Sequence, residues 1–310
     1  MAVALVGPTS YIAERLASAL DEAGKNYHLI SLRNKGEAEY KTRRSVTSKD
    51  ELTVDMIKDL GIDSAILCAS MSAGECEQNP DKAHYINTEQ VVATVDALAR
   101  GGTKRFMYLS TIKVYGEGLE GRITERTNAA PTTIYGKTHY NTEVTLRRLA
   151  SQRGIEVLMV RMSNVFGPPV TNKDSVWSLA ANCFARQMAS KGLIDVRSPK
   201  VMRNILPMEK LINFITAWLE RGINAHRVEV VNLGSSTTLS MKSLAELIQE
   251  CYCGRLGVDD IRSVANTEKA AFQFSTDHSS GLMSIARADD EEVVLFEMKR
   301  LCDTSRKLFG

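Results

Sequence analysis

The chain opens on an apolar run, Ala2–Val6, that passes straight into Gly7 and then into an amphipathic stretch over 11–23. A buried strand, a glycine turn and a helix in that order constrain a fold strongly. The helix must cross back over the sheet to deliver a parallel neighbouring strand, and that crossover is right-handed. The alternation continues along the chain. Strands are expected at 27–32, 64–69, 106–110, 157–161 and 228–233. Helices are expected at 52–60, 81–100, 208–221 and within 131–152. This spacing predicts an α/β fold of the doubly wound, Rossmann type, with helices on both faces of a parallel sheet. From Gly167 to Pro207 the pattern is shorter and richer in turns. From Ser240 onward come a helix at 240–252, a weakly periodic stretch and a closing helix near 290–309. The expected division is a dinucleotide-binding domain over 1–166, rejoined by 208–235, and a smaller C-terminal substrate-binding lobe over 167–207 and 236–310.

A chain of 310 residues buries enough surface to need neither disulfide nor metal. Lys and Arg number 39 against 37 Asp and Glu, a net charge of +2, which gives no broad footprint for nucleic acid or an anionic membrane. The six cysteines form no CxxC pair and lie at no zinc-ligand spacing from a histidine, so no metal site is expected. Unpaired cysteines, with neither a cleavable leader nor an apolar run long enough to span a bilayer, lead to the expectation of a cytoplasmic protein.

The first turn reads Gly7-Pro-Thr-Ser10-Tyr11-Ile12-Ala13, with a small residue at every third position after Gly7. Small residues there let backbone approach a pyrophosphate and let the helix N-terminus face it. The second strand ends in Ser31-Leu32-Arg33, where an acidic residue would hold the ribose hydroxyls of NAD. Arg33 suits instead the 2′-phosphate of NADP, with NAD as the alternative.

Phe106-Met-Tyr-Leu-Ser110-Thr111-Ile-Lys-Val-Tyr115-Gly116 ends a strand in hydroxyls, and Tyr135-Gly-Lys137-Thr-His139 opens a helix. Tyr135 and His139, four apart, share a helix face. With Asn87-Thr88, Arg161-x-x-Asn164-Val-Phe-Gly167-Pro168 and Val230-Val-Asn232-Leu-Gly234, these segments resemble the NAD-dependent epimerase/dehydratase family. This is the nucleotide-sugar branch of the extended short-chain dehydrogenases. The resemblance implies that Thr111 orients the substrate oxygen and that Tyr135 is the acid/base. It implies that Asn164 and Arg203 grip the substrate pyrophosphate. Gly7, Ser10, Tyr11, Ile12, Arg33, Ala69, Asn87, Tyr135 and His139 would then surround the cofactor.

Two departures stand out. The family pattern is Tyr-x-x-x-Lys, and its lysine holds the nicotinamide ribose and lowers the tyrosine pKa. His139 stands in its place. A histidine near ~6.5 is mostly neutral at cytosolic pH, so it supplies less field while still able to hydrogen-bond a ribose. Ile112 and Lys113 stand where dehydratases carry Asp-Glu, which disfavours a dehydratase. The resulting expectation is an NADPH-dependent reductase of a keto-sugar nucleotide. The alternatives are a nucleotide-sugar 4-epimerase with retained cofactor, and a dinucleotide-binding sensor without turnover. A nucleotide sugar is the expected substrate. A homodimer is expected through the helices at 81–100 and 135–152, with Val91, Val95, Leu98, Val144, Leu146 and Leu149 as the apolar positions.

Overall fold

A computed structural model describes residues 2–32, 46–224, 226–267, 270–283 and 290–310. Its strands are β1 (Ala2–Val6), β2 (Tyr27–Ser31), β3 (Val46–Ser48), β4 (Ile62–Leu67), β5 (Arg105–Thr111) and β6 (Gly121–Ile123). They continue with β7 (Glu156–Met162), β8 (Asn164–Phe166), β9 (Met202–Pro207), β10 (Val228–Leu233), β11 (Thr238–Ser240) and β12 (Phe272–Phe274). Seven of them form one sheet in the order β10-β7-β5-β4-β1-β2-β3. The order reverses between β1 and β4, both parallel to their neighbours, and this is the place where open α/β sheets bind ligands.

The residues separate into two compact units. The first holds 1–117, 128–161 and 219–231, and the second 118–127, 162–218 and 232–310. This differs from the expected division at four places: 118–127, 162–166, 208–218 and 232–235 all belong to the second unit. Residues 118–127 join the second unit because β6 pairs with β12. The Met208–Glu220 helix falls mostly there too, since it continues directly from β9, which pairs with β8 and β11 in a three-stranded sheet.

The core of the first unit sandwiches sheet residues such as Val6, Leu67, Phe106 and Met159 against Val91, Val95, Leu98, Leu146 and Ala150 of two helices. Full burial of each such aliphatic side chain contributes about 1.5–3 kcal/mol. The expected helix at 81–100 is present as Pro80–His84, a π-helical turn over Tyr85–Gln90, and Val91–Arg100. Its 91/95/98 stripe faces the sheet. The apolar positions it turns outward are therefore Val92 and Ala93, a correction to the expected dimer face. On the partner helix, Ile134–Arg153, Leu146 is likewise consumed by the core, and Val144 lies on the outward side. The second unit has its own core, with Trp177, Phe184, Leu244, Ile248, Met298 and Leu301 among its members.

Candidate active site

The turn after β1 is built by backbone alone. Gly7 has φ +87°, a region that disfavours a side chain, and its N–H donates to the Ile30 carbonyl at 2.9 Å. A Cβ at Gly7 would lie 2.6 Å from the Ala69 backbone, so the ends of β1 and β4 touch without room for a side chain. Ser10 does more than stay small. It is the N-cap of the Tyr11–Glu22 helix, its hydroxyl accepting the Ala13 N–H at 3.1 Å. Tyr11 and Ile12 form the first turn above that cap. A tight glycine turn under a three-turn helix N-terminus fits a dinucleotide pyrophosphate. Arg33 lies outside the described residues.

Asn87 sits in the π-helical turn and is buried. Its amide oxygen accepts the Met71 N–H at 2.7 Å, and its amide nitrogen donates to Thr138 Oγ1 at 3.2 Å. It thereby fixes the loop that leaves β4 to the helix that carries Tyr135.

Thr111 ends β5 and caps the following 3-10 turn, Ile112–Tyr115. Its Oγ1 accepts the Lys113 N–H at 3.2 Å, which leaves its hydroxyl hydrogen to donate elsewhere. The Ile134–Arg153 helix begins against this same turn. Thr133 caps it through the Gly136 N–H at 3.1 Å, and a Cβ on Gly136 would meet the Lys113 carbonyl at 2.6 Å. Backbone-to-backbone packing at Gly136 thus sets Tyr135, the second residue of the helix, beside the Thr111 turn.

His139 is 2% exposed. Its Nδ1 meets the Tyr108 hydroxyl at 2.7 Å, and its Nε2 meets Ser70 Oγ at 3.2 Å. Ser70 gives its own hydrogen to the Met71 carbonyl at 2.9 Å, so the Nε2 carries the ring proton and the Nδ1 accepts from Tyr108. Both nitrogens are engaged, and a ribose hydroxyl would have to displace Ser70 to reach the ring. Burial pushes the His139 pKa down to about 3, so the ring is neutral. The rings of Tyr135 and His139 meet edge to face, 4.4 Å between centroids. Burial raises the Tyr135 phenol to about 12, against a smaller opposing effect of the nearby Ser70 hydroxyl. Lys137 is exposed on a different side of the helix.

One turn beyond His139, Glu143 completes a stripe of polar side chains on the buried face. It accepts from Ser110 Oγ at 2.5 Å and is gripped by Arg161 through Nε at 3.1 Å and Nη2 at 2.6 Å. Both charges are buried, with 7% and 4% of their side chains exposed, and the Arg161 guanidinium lies 4.8 Å from the Tyr115 ring centroid. Such a pair is held by its completeness, because removing one partner strands a buried charge. It ties the helix of Tyr135 to the ends of β5 and β7, next to Thr111. Tyr108, Ser70 and Glu143 escaped the sequence reading. The four-residue spacing Tyr135, His139, Glu143 was the available signal for Glu143.

Asn164 and Arg203 belong to the second unit, where β8 and β9 pair in the register Asn164 to Ile205. Asn164 is half-buried, and its amide donates to the Asn204 carbonyl at 2.8 Å. Arg203 is half-buried, and its Nη1 donates to the Met202 carbonyl at 3.1 Å.

Comparison with known proteins agrees with this architecture. Residues 3–234 match the model of the NAD dependent epimerase/dehydratase family. ADP-L-glycero-D-manno-heptose-6-epimerase of Brachyspira hyodysenteriae is 20% identical over 261 residues, 81% of either chain. The chain spans about half the length of the curated UDP-glucose and UDP-arabinose 4-epimerases it matches, 48% to 52%. Among solved structures, MoeE5 in complex with UDP-glucuronic acid and NAD has a TM-score of 0.77 at 16% identity, covering 99% of this chain and 100% of that one. RMD from Pseudomonas aeruginosa complexed with NADPH has a TM-score of 0.72 at 18% identity, covering 99% of each. The chain belongs to the NAD dependent epimerase/dehydratase family.

Proposed function

We propose that the chain is an NADPH-dependent reductase of a keto-sugar nucleotide. The observation that carries this reading is the neutral, fully engaged ring of His139 in place of a lysine ammonium. With no cation beside it among the described residues, a Tyr135 phenol near 12 is ionised in only about one molecule in 10⁵ at pH 7. It is therefore poised to give a proton and poorly placed to take one. Reduction of a ketone needs a proton donor at the oxygen. Epimerisation by oxidation and re-reduction needs the same group first as a base. The activities named for the relatives favour an epimerase, and the electrostatics at Tyr135 weigh against it. Lys113 pairs with Glu117 at 2.7 Å and Ile112 is buried, so the turn after Thr111 offers no acid and base pair for water elimination.

In this reading Thr111 donates its hydroxyl hydrogen to the substrate carbonyl and holds it toward Tyr135. Tyr135 delivers a proton to that oxygen as negative charge develops there. Glu143 and Arg161 keep Ser110, and with it Thr111, in register. Asn164 and Arg203 bind the substrate phosphates, for which a guanidinium fork is suited. NADPH supplies the hydride when bound; Gly7, Ser10, Tyr11 and Ile12, packed against Ala69, form the turn that would hold its pyrophosphate, and Arg33 is assigned to the 2′-phosphate from its place in the sequence alone.

The test is NADPH consumption at 340 nm with a panel of keto-sugar nucleotides, alongside titration of NADPH and NADH by fluorescence. Turnover, tighter binding of NADPH and a protein that purifies without tightly held NAD⁺ are expected. Preference for NADH, or a preparation saturated with oxidised cofactor, would move the assignment to an epimerase. Cofactor binding without any turnover would make the chain a sensor.

The reading includes a homodimer. The two helices of the first unit leave a groove of about 910 Å³ between them, lined in part by Val92, Ala93, Val144 and the core residue Leu149, with Tyr140 and Arg148. Small and apolar residues on paired helices let a second pair approach closely. Light scattering at micromolar concentration is expected to give twice the chain mass of 34.2 kDa, and Val92→Glu to shift it to the monomer. A monomeric wild-type chain would refute the assembly.

A further inference from the structure

We infer that Ser70 is a cofactor-binding residue that meets the nicotinamide ribose, and that His139 serves this contact only by holding the Ser70 hydroxyl. The inference rests on the dinucleotide part of the reading above, and it holds for reduction and epimerisation alike.

The place of Ser70 in the loop after β4 carries the assignment. Ser70 is exposed and directly follows Ala69, whose backbone lies so close to Gly7 that a Cβ there would meet it at 2.6 Å. One neighbour of Ser70 is therefore the pyrophosphate turn. On its other side Ser70 Oγ lies 3.2 Å from His139 Nε2, and the His139 ring packs on Tyr135 at 4.4 Å between centroids. A carbonyl that takes its proton from Tyr135 also takes the hydride, so the nicotinamide has to lie near Tyr135. A dinucleotide that joins the Gly7 turn to Tyr135 carries its second ribose between them, and Ser70 adjoins both.

His139 does not make this contact itself. It is 2% exposed, and the Tyr108 hydroxyl holds it inward through Nδ1 at 2.7 Å. Its Nε2–H is spent on Ser70 Oγ. The Ser70 hydrogen rests on the Met71 carbonyl at 2.9 Å. A hydroxyl oxygen has two lone pairs, so the second can accept a ribose O–H while both of these bonds persist. The loop is braced for the purpose. Met71 N–H is held by the Asn87 amide oxygen at 2.7 Å, and the Asn87 amide nitrogen donates to Thr138 Oγ1 at 3.2 Å, one residue before His139. Loop and helix thus fix the hydroxyl together, which leaves little ordering to be done on binding.

The experiment is isothermal titration of wild type, Ser70→Ala and Ser70→Thr with NADPH, NADH, ADP-ribose and ADP. The two fragments are used in their 2′-phosphorylated forms if wild type prefers NADPH. ADP-ribose keeps the second ribose and lacks the nicotinamide, whereas ADP lacks both. Ser70→Ala is expected to raise the Kd of the preferred dinucleotide and of ADP-ribose by about 2- to 12-fold, the worth of one neutral hydrogen bond. ADP should bind Ser70→Ala as it binds wild type, because it ends at the pyrophosphate turn. Ser70→Thr keeps the hydroxyl and should bind ADP-ribose as wild type does. Unchanged ADP-ribose affinity in Ser70→Ala overturns the inference. An equal loss for ADP, or a loss that Ser70→Thr fails to restore, overturns it too. A wild type that binds neither dinucleotide overturns the cofactor assignment and this inference with it. A wild type that binds one of them while Ser70→Ala is indifferent overturns this inference alone.

Discussion

Tyr135→Phe is expected to lower kcat for keto-sugar reduction by about 10²- to 10⁴-fold, the usual contribution of a positioned general acid. The substitution removes one hydroxyl from a ring that is packed edge to face on His139 at 4.4 Å, so the packing and the cofactor turn at Gly7 should survive. NADPH should bind as before. The pH profile carries the sharper test. A proton donor near 12 stays protonated through the neutral range, so wild-type kcat for reduction should be flat from about pH 6 to about pH 10. No limb is expected near ~6.5, because His139 does not titrate there once burial has pushed it to about 3. A rate that climbs with pH over this range would mark Tyr135 as a base, and would favour epimerisation over reduction. Activity largely retained in Tyr135→Phe would remove Tyr135 from the chemistry altogether.

The doubly wound sheet was legible because it is written in period. Apolar runs at 2–6, 27–31 and 228–233 stand between amphipathic stretches, and each emerged as a strand within a residue or so of its expected ends. The short strands β3, β6, β8, β11 and β12 were not legible. Three residues contain too few repeats for a period of two to show, and their partners come from distant parts of the chain. Arg105 shows the same limit at a single residue. A charge before Phe106 reads as the solvated start of a strand. The side chain is nearly inaccessible, its guanidinium donating to Ser64 Oγ at 2.9 Å and to the Leu219 carbonyl at 2.8 Å. A buried cation of this kind is tolerated because its donors are met by fixed acceptors, and those acceptors are set by tertiary structure.

The site divides in the same way. The placement of Thr111 at a strand end and of Tyr135 and His139 on one helix was readable from motif spacing. Ser10 was readable as a small residue, whereas its capping of Ala13 N–H became visible only once the helix start was fixed. What His139 does was not readable, because its partners Tyr108 and Ser70 lie 31 and 69 positions away in the chain. A histidine four residues after a tyrosine suggests a weakened lysine. The same histidine between a buried phenol and a serine is a neutral ring, and the proposed reductase reading rests on that difference.

Burial of that neutral ring should also be measurable as acid lability. The unfolded chain protonates His139 near 6.5 and the folded chain only near 3. Between those values the unfolded state binds more protons, so stability rises with pH. The contribution is fully present above about 6.5 and is lost as pH falls toward about 3. The slope is about 1.4 kcal/mol per pH unit, which makes roughly 2 kcal/mol between pH 6.5 and pH 5. His139→Gln removes the titrating group while keeping an amide that can meet Tyr108 and Ser70. Urea unfolding of both proteins from pH 7.5 to pH 5 should therefore show a steep loss in wild type and a shallower one in the variant. The remaining histidines, His28, His84, His226 and His278, are common to both and cancel in the difference. Parallel slopes would mean that the ring accepts a proton without cost, and would restore to His139 the charge that the reductase assignment requires it to lack.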